Sequence, residues 1–223
     1  GFIRLNFALP IYTRSRRMMF DARRPMVIDN EDLEHLCEEL SDISSVLTQL
    51  VPGLSIGFKE ISQTLDKDGE AATVTMLTAY RDGKELPLRD ESDGVRKIIS
   101  VLSLIIAAFN EQSVTVAIDE FDAGIFEYLL GEILQSMEES GKGQFIFTSH
   151  NLRPLEVINK KFLYFTTTNP QNRYIRLKNI SATNNLRDTY FREIILCEQE
   201  EEIYNKTKKF KIIAALKKAG GLR

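Results

Sequence analysis

The run Val114-Thr115-Val116-Ala117-Ile118 is short, apolar and rich in β-branched residues, and it ends on the acid pair Asp119-Glu120. A strand of this kind is expected in a parallel sheet covered on both faces. The run over 144–148 repeats the type, with a helix predicted between the two over 125–139 and closed by Gly141-Lys142-Gly143. A short helix over 154–159 then leads to a third run over 161–165. This βαβαβ succession predicts an α/β chain, built on a mainly parallel sheet with flanking helices. The segment 173–177, after the turn at 169–172, is expected to add an antiparallel hairpin strand. Residues 186–218 are expected to form two helices.

Upstream the pattern differs. Residues 1–29 read as irregular and basic, with Pro10 and Pro25 as breakers. Asn30 reads as the N-cap of a helix that carries Glu31 and Asp32 in its first turn. Leu33, Leu36, Cys37, Leu40, Ile43, Val46, Leu47 and Leu50 follow at helical spacing, and Pro52-Gly53 ends the helix. Runs over 54–61, 73–80 and 85–88, separated by turn-rich segments, predict an antiparallel β-meander. Ser92-Asp93-Gly94 opens a helix over 95–109. The expected division is 1–53 as a basic segment and helix, 54–180 as a core and 181–223 as C-terminal helices.

The 223 residues, 43% hydrophobic and 27% charged, suffice for one good core. No apolar run reaches the roughly 18 to 20 residues of a membrane span, and the N-terminus does not read as a signal peptide. The two cysteines, Cys37 and Cys197, suggest neither a disulfide framework nor a metal knuckle, so a reducing cytoplasm fits best. A net charge of −3 argues against a protein that coats nucleic acid. Basic runs do occur, at Arg14, Arg16, Arg17, Arg23 and Arg24 and across the tail from Lys206 to Lys218. Such runs are usually solvated faces, with phosphate contact as the alternative. Because the first residue is Gly, a processed product or part of a longer protein is expected.

Three features carry chemistry. In open α/β sheets, ligands bind beyond the carboxyl ends of the strands. Asp119 and Glu120 stand at such an end, where phosphoryl chemistry needs one carboxylate for magnesium and a second group to orient the attacking water. Alone, the pair also fits a strand that ends in a polar turn. The second strand ends in Ser149-His150, which brings His150 near the acids if the strands are neighbours, though a surface histidine opening a loop fits equally. Third, Ser92 caps a helix whose free N–H groups suit phosphate, and Gly94 permits close approach; a plain capped helix is the alternative.

In this order, Ser92-Asp93-Gly94, Ile118-Asp119-Glu120, Asp122 and Phe147-Thr148-Ser149-His150 resemble the signature, Walker B, D-loop and switch-histidine motifs of ABC-type ATPases. The resemblance is closest to the soluble branch with SMC, RecF and OLD-type proteins. It implies ATP and Mg2+ as cofactors, Asp119 supporting the metal, Glu120 polarising the water and His150 sensing the γ-phosphate. It further implies that Ser92 and Gly94 touch ATP held by an opposing subunit, that Asp122 lies at that interface, and that the protein works as a homodimer. DNA or a nuclease effector is the implied partner, in DNA repair or anti-phage defence. The sequence departs from the family in two places: Asp93 stands where a second glycine is usual, and no G-x-x-x-x-G-K-[ST] segment occurs. An upstream half, in the same or another chain, is therefore expected to supply the Walker A motif. Two other readings remain: a Toprim-like magnesium nuclease in which Asp119, Glu120 and Asp122 bind metal themselves, and a non-catalytic dimerisation module.

Overall fold

The computed structural model describes residues 8–12, 17–176, 186–196, 201–205 and 207–221. The chain forms two compact units, 1–151 and 152–223.

In the first unit, β1 (Ala8–Tyr12) and β2 (Arg17–Asp21) pair as an antiparallel hairpin, and β3 (Met26–Asp29) follows. The irregular N-terminus expected from the sequence is thus corrected. Pro10 does not break β1 because that strand pairs on one side only, an edge position that tolerates a missing N–H.

Helix α1 (Asn30–Leu50) begins directly at the end of β3. Asn30 is not its N-cap. The residue before the helix is Asp29, which makes no side-chain cap, and Asn30 Oδ1 instead accepts from Thr73 Oγ1 at 2.7 Å. Pairing of Asp29 with Ala72 holds the chain against the sheet up to the last residue of β3, which directs the Asn30 side chain toward its neighbour strand.

The meander is present as β4 (Leu54–Leu65), β5 (Ala71–Arg81) and β6 (Lys84–Pro87), and β3 joins it in the order β3-β5-β4. Leu33, Leu36, Leu40, Ile43 and Leu47 of α1 are buried, as are Leu54, Ile56, Leu77 and Ala79 of the sheet. Each such leucine contributes about 1.5 to 3 kcal/mol by leaving water. A polar tie adds direction, since the Ile56 amide donates to Ser44 Oγ at 2.9 Å.

Helix α2 (Asp93–Asn110) buries Ile98, Ile99, Val101, Leu102, Ile105 and Ala108 around most of its circumference, as a helix enclosed by other elements must. Strands β7 (Thr115–Ile118) and β8 (Gln144–Phe147) pair in parallel, with α3 (Glu127–Ser140) as the crossover. Val116 is buried on one face, while Thr115, Ala117, Gln144 and Ile146 are exposed on the other. Among the described residues this sheet has two strands and one covered face, not the larger sheet covered on both sides.

The third apolar run is not a parallel strand. Lys160–Phe162 form a 3-10 turn, and the short β9 (Phe165–Thr166) pairs antiparallel with β10 (Tyr174–Ile175). The run begins on Lys161 and leaves Phe162 and Tyr164 exposed, so it offers no continuous apolar face to a sheet. The hairpin expected from the sequence exists, with Leu177 outside the described residues. The second unit also contains α4 (Pro154–Val157) and α5 (Leu186–Leu196), which contribute to a small core of Phe165 and Leu186, and α6 (Lys209–Ala219), which buries no residue. Cys37 is exposed on α1, and Cys197 lies outside the described residues. No helix among the described residues is long and apolar enough to cross a membrane.

Candidate functional site

The parallel register aligns Ile118 with Phe147, so the next residues on each strand, Asp119 and Thr148, face each other at the carboxyl end of the pair. Thr148 Oγ1 donates to Asp119 Oδ1 and accepts from the Glu120 amide at 2.7 Å. The Phe121 amide donates to the Thr148 carbonyl at 2.9 Å. Phe121 itself is fully buried and meets the Phe145 and Phe147 rings edge-on, with centroids 5.2 and 6.0 Å away. A buried aromatic following two exposed acids pins the loop while leaving the carboxylates in solvent.

Glu120 has φ 49°, in the left-handed region that a residue with a side chain seldom occupies. Its carboxylate Oε1 stands 3.9 Å from His150 Nε2, both side chains being largely exposed. The Asp122 carboxylate accepts from the amides of His150 at 3.2 Å and Asn151 at 3.0 Å. Asp122 therefore fixes the turn that presents His150.

From the other side, α2 reaches the same loop. Lys97 Nζ donates to the Glu120 carbonyl. Burial lowers the Lys97 pKa from the usual lysine value, while the charges of Asp122, Glu120 and Asp119 pull it back up. Gly94 is buried, and its Cα packs on the main chain of Gly124.

The turn that opens α2 is equally tied. Ser92 Oγ accepts from the Val95 amide at 3.3 Å, which is the cap expected from the sequence. Arg81 forms a forked pair with Glu91, Nε–Oε1 at 3.2 Å and Nη2–Oε2 at 2.9 Å. Arg96 donates to the Arg89 and Glu91 carbonyls at 2.7 and 2.6 Å and pairs with Asp93.

The loop after β7 thus brings Asp119, Glu120, Asp122 and His150 together, and α2 places Gly94 against that loop. Residues 27–156 match the family model described as "AAA domain, putative AbiEii toxin, Type IV TA system". This is more than half of the chain. The chain belongs to this AAA-domain family.

The AAA-domain match takes in Ser92, Gly94, Asp119, Glu120, Asp122 and His150. No curated protein matches the chain significantly. Among solved structures, one titled "Structural biochemistry of ATP-driven dimerization and DNA stimulated activation of SMC ATPases" is similar at 15% identity. It covers 72% of this chain and 92% of its own, with a TM-score of 0.45. An SmcHead bound to the C-winged helix domain of ScpA is similar at 16% identity over 55% of this chain, with a TM-score of 0.41. An Smc head domain with an extended coiled coil, bound to the C-terminal domain of ScpA derived from Pyrococcus furiosus, is similar at 17% identity over 56%, with a TM-score of 0.37. The present chain spans 38% and 32% of the length of these last two.

Two groups at the site of this AAA-domain chain were given no role from the sequence, Thr148 and Lys97. The signal for Thr148 was available, as a hydroxyl one residue past a strand end paired in parallel with an acid-terminated strand. For Lys97 there was none, because its reach to Glu120 depends on how α2 is rotated.

Proposed function

We propose that this chain supplies the acidic half of a composite ATPase site. The observation that carries the proposal is the convergence of Asp119, Glu120 and His150 at the carboxyl end of the β7–β8 pair, with Glu120 Oε1 3.9 Å from His150 Nε2.

The donor chemistry fits magnesium and nucleotide. Magnesium keeps several waters and takes one or two carboxylates beside substrate phosphates, so the exposed Asp119 carboxylate suffices from this side. When bound, Mg-ATP supplies the phosphoryl group and the charge that offsets its transfer. Asp119, held by Thr148, supports the metal through water. Glu120 accepts a proton from the attacking water or orients it, and His150 senses the terminal phosphate. Ser92, exposed at the start of α2, faces ATP bound by a second copy, with Gly94 packed behind it on Gly124 and Asp122 beside that interface. The working unit in this proposal is a homodimer in the cytoplasm, completed by a Walker A half in the same or another chain. Its output is control of DNA or of a nuclease or defence effector.

The alternative of a magnesium nuclease receives less support. Asp122 spends its carboxylate on the His150 and Asn151 amides, and no group of three His, Cys, Asp or Glu among the described residues is placed to hold a metal ion. Metal-dependent DNA cleavage without nucleotide is the outcome that favours it.

Calorimetry with Mg-ATP on this chain tests the composite site. Negligible heat is expected, because the main-chain cradle and lysine of a P-loop are missing from the sequence. Micromolar affinity contradicts the proposal.

A further inference from the structure

Glu120 is one of two non-glycine residues with positive φ among the described residues. The other, Asp82, sits in a tight turn beside Gly83, where such a conformation is routine. Glu120 also lies in a turn but has no glycine beside it, and a side chain held there persists only when its surroundings over-determine it. Thr148 fixes the amide side of Glu120, through Oγ1 at 2.7 Å. The carbonyl side has two donors, the Ala123 amide at 3.0 Å and the Lys97 ammonium.

Lys97 is half-buried on the second turn of α2, under a loop that carries three carboxylates. Its hydrogen bond goes to the main chain, not to any of those carboxylates. The peptide plane after Glu120 is thereby set by α2. A relaxation of the Glu120 φ out of the left-handed region, which these bonds on both sides of the residue oppose, would swing its side chain away from His150. The same helix packs Gly94 on Gly124, at the far end of the loop. Residues 120 and 124 are therefore both referenced to α2.

From this geometry we infer that Lys97 is a positioning residue, which acts on catalysis by holding the Glu120 carbonyl so that the Glu120 carboxylate stands beside His150. The kinetic consequence rests on the ATPase reading above; the geometric one does not.

Two measurements on the complete protein test it. In steady-state ATP hydrolysis, Lys97→Met lowers kcat by about 10- to 100-fold and leaves KM for ATP within about twofold, while Lys97→Arg restores most of the rate. In a Glu120→Gln background, Lys97→Met adds less than about a twofold further loss, since the group it positions is already gone. In hydrogen exchange, Lys97→Met speeds exchange over residues 119–124 and leaves Leu130–Leu134 of α3 unchanged. Full additivity with Glu120→Gln, a loss confined to KM, or unaltered exchange over 119–124 overturns the inference. If the wild-type protein hydrolyses no ATP, the ATPase reading fails by itself, and the exchange result alone decides the role of Lys97.

Discussion

A Cβ added to Gly94 would stand 1.9 Å from the carbonyl oxygen of Gly124, whose own φ of 78° suits glycine. The glycine that opens α2 is thus required by packing within one chain, before any nucleotide is considered. Gly94→Ala is expected to destabilise the first unit by about 1 to 3 kcal/mol, as overpacking against rigid backbone does. Thermal unfolding checks this, with a lower midpoint in the absence of ATP. A loss of activity in such a variant does not by itself report a nucleotide contact.

Thr148 joins the two acids through one hydroxyl, donating to Asp119 and accepting from the Glu120 amide. Thr148→Val keeps the shape and removes both bonds. Each bond is worth about 0.5 to 1.5 kcal/mol of stability, so a modestly lower thermal midpoint is expected, together with a loss of about tenfold in turnover as the two acids lose their alignment. Thr148→Ser keeps the hydroxyl and is expected to stay within about threefold of the native rate. Parallel turnover measurements on the two variants decide between a role for the hydroxyl and one for the methyl.

The acids themselves were legible because their signal is local: an apolar β-branched run that ends in Asp-Glu is visible in seven consecutive residues. The α2 cap at Ser92 and the meander were legible for the same reason. The N-terminal hairpin was not, since Pro10 reads as a breaker unless its strand is known to be an edge. The third parallel strand was misread because Phe162, Tyr164 and Phe165 look continuous in sequence, although only Phe165 is buried. Asp122 was assigned to an interface, and its bonds to the His150 and Asn151 amides depend on a register that the sequence does not display.

Glu91 is buried, and Arg81 neutralises it from the end of β5. The pair also raises the Arg81 pKa, chiefly through the hydrogen bond to Glu91. Arg81→Ala leaves a buried carboxylate without its fork and is expected to destabilise the protein by about 2 to 4 kcal/mol. Arg81→Ala with Glu91→Leu is expected to recover much of that loss. Chemical denaturation of the single and double variants measures the difference.

In the second unit, hydrogen bonds from Arg187 and Arg153 lower the Glu156 pKa from its ordinary value of 4.5. A carboxylate lowered by folding binds fewer protons in the folded state, so its contribution is present above the ordinary glutamate range. It is lost as the pH falls through the lower, folded value. Hydrogen-exchange protection at the start of α5, taken relative to the intrinsic rate at each pH, is therefore expected to fall on acidification below the ordinary glutamate range. Glu156→Gln is expected to flatten that dependence.

The central claim is that Glu120 activates water for attack on ATP. ATP turnover of the complete protein, native against Glu120→Gln, tests it most directly. A fall of at least about 100-fold with nucleotide binding retained is expected. Turnover equal to the native rate contradicts it.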